Sequence, residues 1–266
     1  MNKIGIISGS GRLPVLIAQA AIGKGIEVYA GIFTCQPNNG IKKFTKNVIK
    51  TRLGKLLPII EYFKQNGVTN IAMAGIIPHN RIFANLELDE VMKNVLASAK
   101  DKKADSLLGG FADEFSRHGL IPVSMIDLLP DNIAKQGIIA GPEISGIEQE
   151  YTRFGLGIAK ELSKYDIGQT IVIKEKAVIA VEAMEGTDNC ILRAGRIAGK
   201  DCIIIKTAKF NQDCRFDLPV IGIKTIKNLR KIKSHVLIIE SGKTIILDKE
   251  EVIRLAGKYG ITIFGK

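Results

Sequence analysis

The sequence predicts an α/β protein with two domains, a parallel-sheet domain followed by an α/β domain with a mixed sheet. Three observations support this fold class. Short apolar runs rich in Ile and Val alternate with segments of helical periodicity along the chain. Hydrophobic residues make up 46% of the sequence, which is enough for a packed core and argues against disorder. The length of 266 residues fits one large domain or two ordinary ones.

The N-terminal half begins with a strand, a glycine loop, a helix and a second strand. Residues 3–8 form a buried apolar run, Gly9-Ser10-Gly11 predicts a tight turn, and a helix with Pro14 in its first turn follows. A second apolar run at 27–32 completes a unit that opens a parallel sheet, which predicts a Rossmann-like domain over residues 1–132. The further elements predicted here are a helix ending at Asn66, a strand over 70–75, helices over 88–98 and 105–117, and a strand over 120–123.

After a glycine-containing segment, the second half of the chain again alternates between predicted strands and predicted helices. Residues 133–146 lack strong periodicity and predict a linker, and residues 147–266 predict the C-terminal domain. The short connections at 174–176 and 241–243 predict hairpins, so the second sheet is expected to be mixed. The predicted helices cover 147–164, 188–198, 225–234 and 248–259, and the predicted strands cover 170–173, 177–182, 202–206, 220–222, 236–240, 244–247 and 261–264.

The net charge of +11, with a pI near 9.4, favours an anionic partner. Nucleic acid, anionic membrane and phosphorylated ligands all fit a basic protein. No aromatic residues interleave a basic run, so a stacking platform for single-stranded nucleic acid is not indicated. We expect no nucleic-acid partner. A compositional bias toward Lys and Ile gives the same charge without functional meaning, so charge alone does not choose a partner.

The cysteines and histidines do not form the pattern of a metal site. The three His are scattered, and the four Cys contain no CxxC pair, so neither a zinc ribbon nor a redox motif is supported. The cysteines are predicted to be small hydrophobic residues in a reducing cytosol. The chain starts directly with a strand and has no apolar run near the ~20 residues of a spanning helix. We therefore expect a cytoplasmic protein, with contact to a membrane surface left open.

The first glycine loop suits an anion. Gly9 and Gly11 let backbone N–H groups approach a ligand, and the following helix start supplies partial positive charge. The dinucleotide fingerprint GxGxxG is incomplete, because Pro14 stands where the third Gly belongs. Three interpretations stay open: a phosphate or nucleotide contact at the carboxyl edge of the sheet, a nicotinamide cofactor, and a purely structural turn.

Two clusters of polar side chains follow strands in the second half, and the first runs from Glu182 to Asp188. Thr187 or Asp188 as the N-cap of the next helix is the structural alternative. In the functional interpretation, Thr187 and the helix start hold a phosphate, while Glu185 or Asp188 reaches a hard cation. Mg²⁺ is typically bound by one or two carboxylates together with substrate phosphates.

The second cluster runs from Asn211 to Pro219. Arg215 offers bidentate donors to phosphate, and its alternation with Phe216 places Arg215 and Asp217 on one face of an extended segment. An ion pair between these two side chains is the simple alternative. We favour an active role for Asp217, because the Asp-Leu-Pro exit fixes the direction of its carboxylate. Burying such charges without partners costs several kcal/mol, so we expect the two clusters to meet at one site.

Turn residues complete the candidate site. Gln169 presents its amide to a ligand or serves only a turn at Asp166–Gln169, and Lys209 contacts phosphate or is merely solvated. The complete prediction has Asp217 as the catalytic residue, Asp217, Asp188 and Glu185 as metal ligands, and Gly9, Gly11, Gln169, Thr187, Arg215, Gln212 and Lys209 as substrate-binding residues.

Taken together, these residues resemble a known family, the LpxI type of UDP-2,3-diacylglucosamine diphosphatase. The motifs that carry the resemblance span nearly the whole chain in the right order. They are Gly9-Ser10-Gly11-Arg12-Leu13-Pro14, Ala74-Gly75, Asp166-Ile167-Gly168-Gln169, Val181-Glu182-Ala183 with Glu185-Gly186-Thr187-Asp188, and Gln212, Arg215 and Asp217-Leu218-Pro219 with Ile221-Gly222 and Thr225-Ile226.

The resemblance implies an enzyme of lipid A biosynthesis with its substrate between two domains and a catalytic C-terminal domain. Such a hydrolase uses Mg²⁺ or another divalent cation to cleave the pyrophosphate of UDP-2,3-diacylglucosamine. Water attacks the α-phosphorus, which gives UMP and 2,3-diacylglucosamine 1-phosphate (lipid X). The family's essential aspartate corresponds to Asp217. The resemblance also implies a homodimer in loose, peripheral contact with the cytoplasmic face of the inner membrane.

This chain departs from the family pattern at three places in its N-terminal and C-terminal halves. An expected Arg-Pro pair is replaced by the run from Ile76 to Arg81, Phe210 stands where proline commonly follows Lys209, and a Gly-Asp-Asp motif is reduced to Lys103-Ala104-Asp105. These departures bear on contacts of the N-terminal domain more than on the chemistry. Two alternatives remain, a nucleotide-cofactor oxidoreductase and a non-catalytic module that binds a nucleotide sugar or lipid.

Overall fold

The computed structural model describes residues 1–35, 37–77, 87–98 and 104–266 of the protein. Within them the chain divides into two compact units. Unit 1 contains residues 1–129 together with residues 215–217, and unit 2 contains residues 130–214 and 218–266. The run from Pro78 to Arg81 and Lys103, which belong to the departures from the family pattern, lie outside the described residues.

Unit 1 is built on a five-stranded sheet in the order β3-β2-β1-β4-β5, and all neighbouring strands are parallel. The strands are β1 (Lys3–Ser8), β2 (Glu27–Phe33), β3 (Val48–Thr51), β4 (Asn70–Ala74) and β5 (Ile121–Pro122). The described helices are α1 (Leu13–Gly23), α2 (Leu57–Gln65), α3 (Glu90–Ser98), α4 (Ala104–Arg117) and α5 (Met125–Leu128), with a short 3₁₀ turn at Ile41–Lys43.

The strand order of unit 1 creates a switch point between β1 and β4. The chain proceeds outward from β1 to β3 on one side and then continues with β4 and β5 on the other. In open α/β sheets the crevice outside the carboxyl ends of the strands at such a point is the usual place for a ligand. Apolar side chains from the sheet, α2, α3 and α4 form one core beside this crevice.

Unit 2 is built on a six-stranded mixed sheet in the order β6-β13-β11-β9-β7-β8. Its strands are β6 (Gly137–Ala140), β7 (Thr170–Lys174), β8 (Ala177–Val181), β9 (Ile203–Lys206), β11 (Val236–Ile239) and β13 (Thr262–Gly265), and a separate parallel pair consists of β10 (Val220–Ile221) and β12 (Ile245–Ile246). The helices are α6 (Gly146–Ser163), α7 (Thr187–Ala198), α8 (Ile223–Lys231) and α9 (Lys249–Tyr259), with a 3₁₀ turn at Pro130–Asn132.

The helices of unit 2 cover both faces of its sheet. Residues of α7, α8 and α9 share a buried core with one set of strand side chains. Helix α6 packs on the opposite face, where Gly155 allows a close approach to Ile173 and Ile205. Ser145 and Glu148 form a capping box that starts this helix. Both sheet faces are therefore apolar, which explains the runs of consecutive Ile in the strands.

The fold class predicted from the sequence is confirmed, because a parallel-sheet unit and a mixed-sheet unit are both present. The hairpin predicted at 174–176 is confirmed by antiparallel pairing of β7 with β8. The hairpin predicted at 241–243 is wrong. There β11 pairs in parallel with β9 and β13, while β12 crosses to β10.

Two strands lie where the sequence predicts none. Strand β3 precedes α2 and pairs in parallel with β2. Strand β6 lies within residues 133–146, the range predicted as a linker, and pairs antiparallel with β13 at the edge of the sheet. Among the described residues, no helix combines the length and apolar character needed to cross a membrane.

Candidate functional site

An apolar cavity of about 250 Å³ lies at the carboxyl ends of the unit 1 strands. Strands, helices and loops of unit 1 all contribute to its wall. The lining residues are Ile7, Gly9, Phe33, Leu53, Gly54, Leu56, Met73, Ala74, Gly75, Ile76, Ile77, Met92, Leu107, Leu108, Phe111, Phe115, Phe216 and Asp217. Among these described lining residues, Asp217 is the one that carries a charge. An apolar pocket with a few fixed polar groups is the usual form of a small-molecule site.

Two glycines bring the ends of β1 and β4 into contact beside this cavity. A Cβ atom on Gly9 would lie 2.8 Å from the carbonyl carbon of Gly75, and one on Gly75 would lie 2.7 Å from that of Gly9. Gly75 also has a φ of +94°, a conformation that favours glycine. The backbone N–H of Gly9 donates to Ala74 O at 2.8 Å. Gly9 is therefore fixed by close backbone packing and holds the mouth of the cavity in shape.

The loop after β1 is ordered by an asparagine side chain. The amide nitrogen of Asn38 donates to the carbonyl oxygens of Gly9 and Gly11, both at 3.0 Å. Gly11 has a φ of +100° and open space around its Cα, which leaves room for a ligand. Helix α1 follows without a side-chain cap and with Pro14 in its first turn. The Gly9 N–H is used in the hydrogen bond to Ala74 O, and the anion contact predicted at Gly9 and Gly11 stays a prediction.

The segment Arg215–Asp217 belongs to unit 1, although its flanking residues belong to unit 2. Phe216 packs against the core of unit 1, and the Arg215 guanidinium carbon lies 5.3 Å from the centroid of its ring. The aromatic side chain thereby anchors the segment. Asp217 follows immediately and lines the cavity. The DLP aspartate is thus placed in the wall of an apolar cavity, a setting that the sequence did not predict.

In unit 2, a buried lysine joins the ends of β7, β8 and β9. Lys206 is the last residue of β9 and is 4% exposed. Its ammonium group donates to Thr187 Oγ1 at 2.8 Å and to Thr170 Oγ1 at 3.2 Å. It lies 3.7 Å from Glu182 Oε2. The Thr187 hydroxyl in turn donates to Glu182 Oε1 at 2.9 Å. Lys206 is therefore a buried, partnered side chain and not a solvated one.

A second polar group lies on the adjoining loops of unit 2. The ammonium group of Lys209 lies 2.8 Å from Asp166 Oδ1, and its side chain is 14% exposed, so it is not simply solvated. Gln169 donates its amide to Gln212 Oε1 at 3.3 Å, and the backbone N–H of Lys209 donates to the same oxygen at 3.0 Å. The structure therefore brings together three of the predicted substrate-binding residues.

Glycine packing holds these loops close to the helix start. A Cβ atom on Gly168 would lie 2.2 Å from the carbonyl oxygen of Glu182, which leaves room for glycine alone. Gly186, with a φ of 78°, occupies the N-cap position of α7. Thr187 and Asp188 are thus first-turn residues of the helix, and neither is the N-cap that the structural alternative assumed.

The two carboxylates predicted as metal ligands in unit 2 both have cationic partners. Glu185 pairs with Arg193, and this hydrogen bond lowers the pKa of the Glu185 carboxyl group. Asp188 accepts from the Asn228 amide at 2.7 Å and lies 2.9 Å from the Lys224 ammonium group. In the described part of the chain, no three His, Cys, Asp or Glu side chains converge to hold a metal ion. Glu185 and Asp188 therefore do not fit a preformed metal site.

The predicted meeting of Asp188 with Asp217 involves residues of different units and stays a prediction. Sequence reasoning placed Glu182 in the first cluster but missed Lys206 and Thr170 as its partners. A lysine that directly follows Ile203-Ile204-Ile205 was an available signal, because a charged residue at the end of a doubly buried strand requires partners.

The two buried cysteines are structural rather than reactive. All four are free thiols, and Cys190 and Cys202 are buried. Burial raises the pKa of Cys190 to about 12, so this thiol stays protonated at neutral pH. The prediction that the cysteines act as small hydrophobic residues is confirmed for these two.

Family models match almost the entire chain. The model of the LpxI N-terminal domain matches residues 3–132, and that of the LpxI C-terminal domain matches residues 135–264. The chain is 26% identical over 279 residues to the protein named UDP-2,3-diacylglucosamine pyrophosphatase LpxI of Caulobacter vibrioides. That alignment covers 100% of this chain and 98% of the relative.

Solved structures give weaker likenesses. The UDP-glucose 4-epimerase of Thermus thermophilus in complex with NAD is 14% identical, with 54% of this chain and 41% of that chain covered and a TM-score of 0.29. The N5-carboxyaminoimidazole ribonucleotide synthetase of Thermotoga maritima is 15% identical, with 67% and 40% covered and a TM-score of 0.25. Likenesses at this level carry no argument about function.

Proposed function

The chain belongs to the LpxI family, and on that premise we propose that it hydrolyses the pyrophosphate bond of UDP-2,3-diacylglucosamine. The products are UMP and 2,3-diacylglucosamine 1-phosphate, in a step of lipid A biosynthesis. The name of the Caulobacter relative supports this substrate. The observation that carries the proposal is the apolar cavity of unit 1 with the Asp217 carboxylate in its wall.

The cavity suits an acyl chain of the substrate. Its wall consists mainly of aliphatic and aromatic side chains, several of them fully buried, such as Phe115 and Leu107. Burial of each methylene group is worth about 0.8 kcal/mol, so a chain of ten methylenes gains roughly 8 kcal/mol of transfer free energy. A water-soluble nucleotide gains nothing comparable from such a wall. The cavity therefore favours a lipid over a free nucleotide sugar.

Asp217 is the proposed catalytic residue. Its carboxylate orients a water molecule by accepting a hydrogen bond. The water oxygen forms a bond to the α-phosphorus, and the bond from that phosphorus to the bridging oxygen breaks. The electron pair of the broken bond leaves with the sugar 1-phosphate, and the water proton is released through Asp217. An apolar surrounding strengthens the hydrogen bond that orients the water.

The remaining predicted residues are proposed to hold the polar part of the substrate. Gln169, Gln212 and Lys209 already form one hydrogen-bonded group, and donors of this kind suit phosphate oxygens. Thr187 and Arg215 are proposed to contribute further donors. Gly9 lines the cavity, but its N–H already donates to Ala74 O, so a backbone contact to the substrate is proposed for Gly11 in the same loop, with Gly9 contributing close packing.

The divalent cation that the family resemblance implies remains part of the proposal. When bound, such an ion neutralises phosphoryl charge and lowers the pKa of bound water. Glu185 and Asp188 would first have to leave Arg193 and Lys224, so no step is assigned to the ion here. Activity in the presence and absence of excess EDTA tests the requirement.

Contact with the inner membrane from the cytoplasm is proposed to use three adjoining loops of unit 2. Large hydrophobic side chains are exposed on them, namely Tyr165, Ile167, Met184 and Phe210. Lys164 lies 6.0 Å from the Phe210 ring centroid, and its ammonium group also donates to both carboxylate oxygens of Glu161. Exposed apolar side chains on neighbouring loops suit insertion into a lipid surface. The homodimer implied by the resemblance stays a prediction.

The test is release of UMP from UDP-2,3-diacylglucosamine by the purified protein. We expect UMP and the sugar 1-phosphate in equal amounts, with ¹⁸O from labelled water in UMP. Neither the oxidoreductase nor the non-catalytic module releases UMP. Substrate binding without release, or label found in the sugar phosphate, would contradict the proposal.

A further inference from the structure

Lys206 combines deep burial with two hydroxyl partners. Its side chain is 5% exposed, and its ammonium group donates to the hydroxyls of Thr170 and Thr187. Glu182 supplies negative charge nearby, yet Glu182 Oε2 is buried without a hydrogen bond and lies 3.7 Å from the ammonium nitrogen. The contact between Lys206 and Glu182 is therefore looser than the contacts with the hydroxyls, and the cluster favours hydroxyl orientation over a tight ion pair.

The hydrogen-bond capacity of the Thr187 hydroxyl is used in one fixed way. A hydroxyl donates one hydrogen and accepts through its lone pairs. Thr187 donates to Glu182 and accepts from Lys206, so its side chain has a single orientation. Thr187 is also the first residue of α7, after an N-cap glycine that has no capping side chain. Fixing this side chain fixes the first turn of the helix.

A core position with no role beyond packing would not require lysine. The three residues before Lys206 are isoleucines that fill the sheet, and apolar replacement of a buried ion pair is often neutral or stabilising. The adjacent carbonyl of Thr170 accepts from the Glu182 N–H at 2.8 Å, so the backbone already joins β7 to the chain after β8. Because backbone hydrogen bonds already join these segments, the contribution of Lys206 is to orient the side chains around it.

We propose that Lys206 is a positioning residue for the pyrophosphate hydrolysis. It acts through Thr187 by setting the first turn of α7, where the diphosphate of the substrate is held. This inference rests on the proposed function, because it takes Thr187 to be a substrate-binding residue. It adds a residue that does not touch substrate and whose removal changes turnover through another side chain.

A double-mutant cycle tests this coupling. Lys206→Met, Thr187→Val and the double variant are compared for kcat and KM of UMP release. We expect each single variant to lower kcat/KM about 10- to 100-fold, the usual range for residues that orient a directly bound group. The double variant should be no worse than the more damaged single variant. Fully multiplicative losses would overturn the coupling.

Two controls separate positioning from general damage. Lys174→Met removes a half-buried lysine of strand β7 that donates to Ala198 O, and we expect kcat/KM to stay within about twofold of the parent. Lys206→Arg keeps the donor and should recover part of the kcat that Lys206→Met loses. A Lys206→Arg variant as inactive as Lys206→Met, with the fold intact by circular dichroism, would contradict the proposal.

A substitute covers the case in which Lys206→Met fails to fold. Glu182→Gln is nearly isosteric and removes the negative charge beside Lys206, so it takes the place of Lys206→Met in the cycle. Additive effects of Glu182→Gln and Thr187→Val would overturn the inference. If the parent protein releases no UMP, the proposed function fails and the inference fails with it; if the parent is active and the cycle is additive, only the inference fails.

Discussion

The two units differ in the chemical groups that surround the ends of their strands. In unit 1 the strands β1 and β4 end in glycine backbone and an apolar cavity. In unit 2 strand β7 begins, and strands β8 and β9 end, among Thr170, Glu182 and Lys206, where Lys206 contacts the other two side chains. An apolar wall stabilises a ligand in proportion to the apolar surface area that it buries. Fixed polar groups instead bind those ligand atoms that lie along the direction of their hydrogen bonds. An amphipathic substrate needs both kinds of recognition.

The exception within this comparison is the segment Arg215–Asp217. The polypeptide of unit 2 contributes it to unit 1, where Phe216 anchors it and Asp217 gives the apolar cavity its charge. The proposed catalytic group is therefore located in the wall of the cavity that is proposed to bind the acyl chain. The comparison predicts that substitutions in the cavity affect lipid recognition, while substitutions at the strand ends of unit 2 affect the phosphate chemistry.

The largest effect is expected from Asp217→Asn. Loss of the carboxylate that orients the water should lower kcat about a thousandfold or more, equal to roughly 4 kcal/mol of barrier. The measurement is UMP release at saturating substrate. Asp127→Asn, an exposed carboxylate of unit 1, is the matched control and should keep full rate. Near-full activity of folded Asp217→Asn would remove Asp217 from the mechanism.

Filling the cavity should act on lipid recognition. Leu108 is a half-buried lining residue, and Leu108→Trp places an indole in the space proposed for an acyl chain. We expect KM for the long-chain substrate to rise about tenfold, because about 1.4 kcal/mol of binding is lost, and KM for a short-chain analogue to change less. Ile121→Trp at an exposed position of the same unit is the control. Equal changes in KM for the two substrates would show that the cavity does not bind the acyl chain.

The glycine contact at the polar site of unit 2 is open to a stability test. Gly168→Ala places a Cβ atom against the Glu182 carbonyl oxygen and should cost about 1–3 kcal/mol of unfolding free energy. Gly157→Ala in α6 has nothing within 4 Å of the new atom and should be neutral or stabilising, by up to about 1 kcal/mol. Urea unfolding of both variants measures the difference. Equal stability of the two variants would show that the loop moves away from the new Cβ atom with no loss of unfolding free energy.

The smallest expected effect is on the pH dependence of the stability of unit 1. Burial opposes ionisation of Glu114 on α4, but hydrogen bonds from Asn94 and Arg117 outweigh it and lower the pKa of this carboxyl group. A lowered folded-state pKa contributes stability above the unfolded value near 4.5, and this contribution is lost as the pH falls through the folded-state pKa. Glu114→Gln should therefore destabilise unit 1 at pH 7 and flatten its acid dependence below pH ~4.5. An unchanged acid profile would contradict this.

Most of the architecture could be predicted from periodicity, because strands buried on both faces and amphipathic helices leave clear patterns. Strand β3 and strand β6 were missed, since both are short and lie at sheet edges. The connection at 241–243 was predicted as a hairpin because its length fits one, but Ile245 and Ile246 pair with β10. Loop length alone does not determine which strand is the partner.

The candidate site was predictable in its motifs and less so in its contacts. The crowding of Gln212, Arg215 and Asp217 pointed to a functional loop, and Gln169 does contact Gln212. The isoleucine run before Lys206 was a local signal for its burial, whereas the cavity beside Asp217 depends on side chains distant in sequence and no local pattern could reveal it. The assignment of Glu185 and Asp188 as metal ligands remains a prediction, and both are paired with cations here.

A comparison of two substrates is the most direct test of the proposal that the apolar cavity binds lipid and holds the catalytic carboxylate. UMP release is measured from UDP-2,3-diacylglucosamine and from UDP-N-acetylglucosamine, which has the same pyrophosphate and no long acyl chains. We predict rapid release from the acylated substrate, and kcat/KM lower by at least about a thousandfold for the other, since several buried methylenes are lost. Equal kcat/KM for the two substrates would contradict the account.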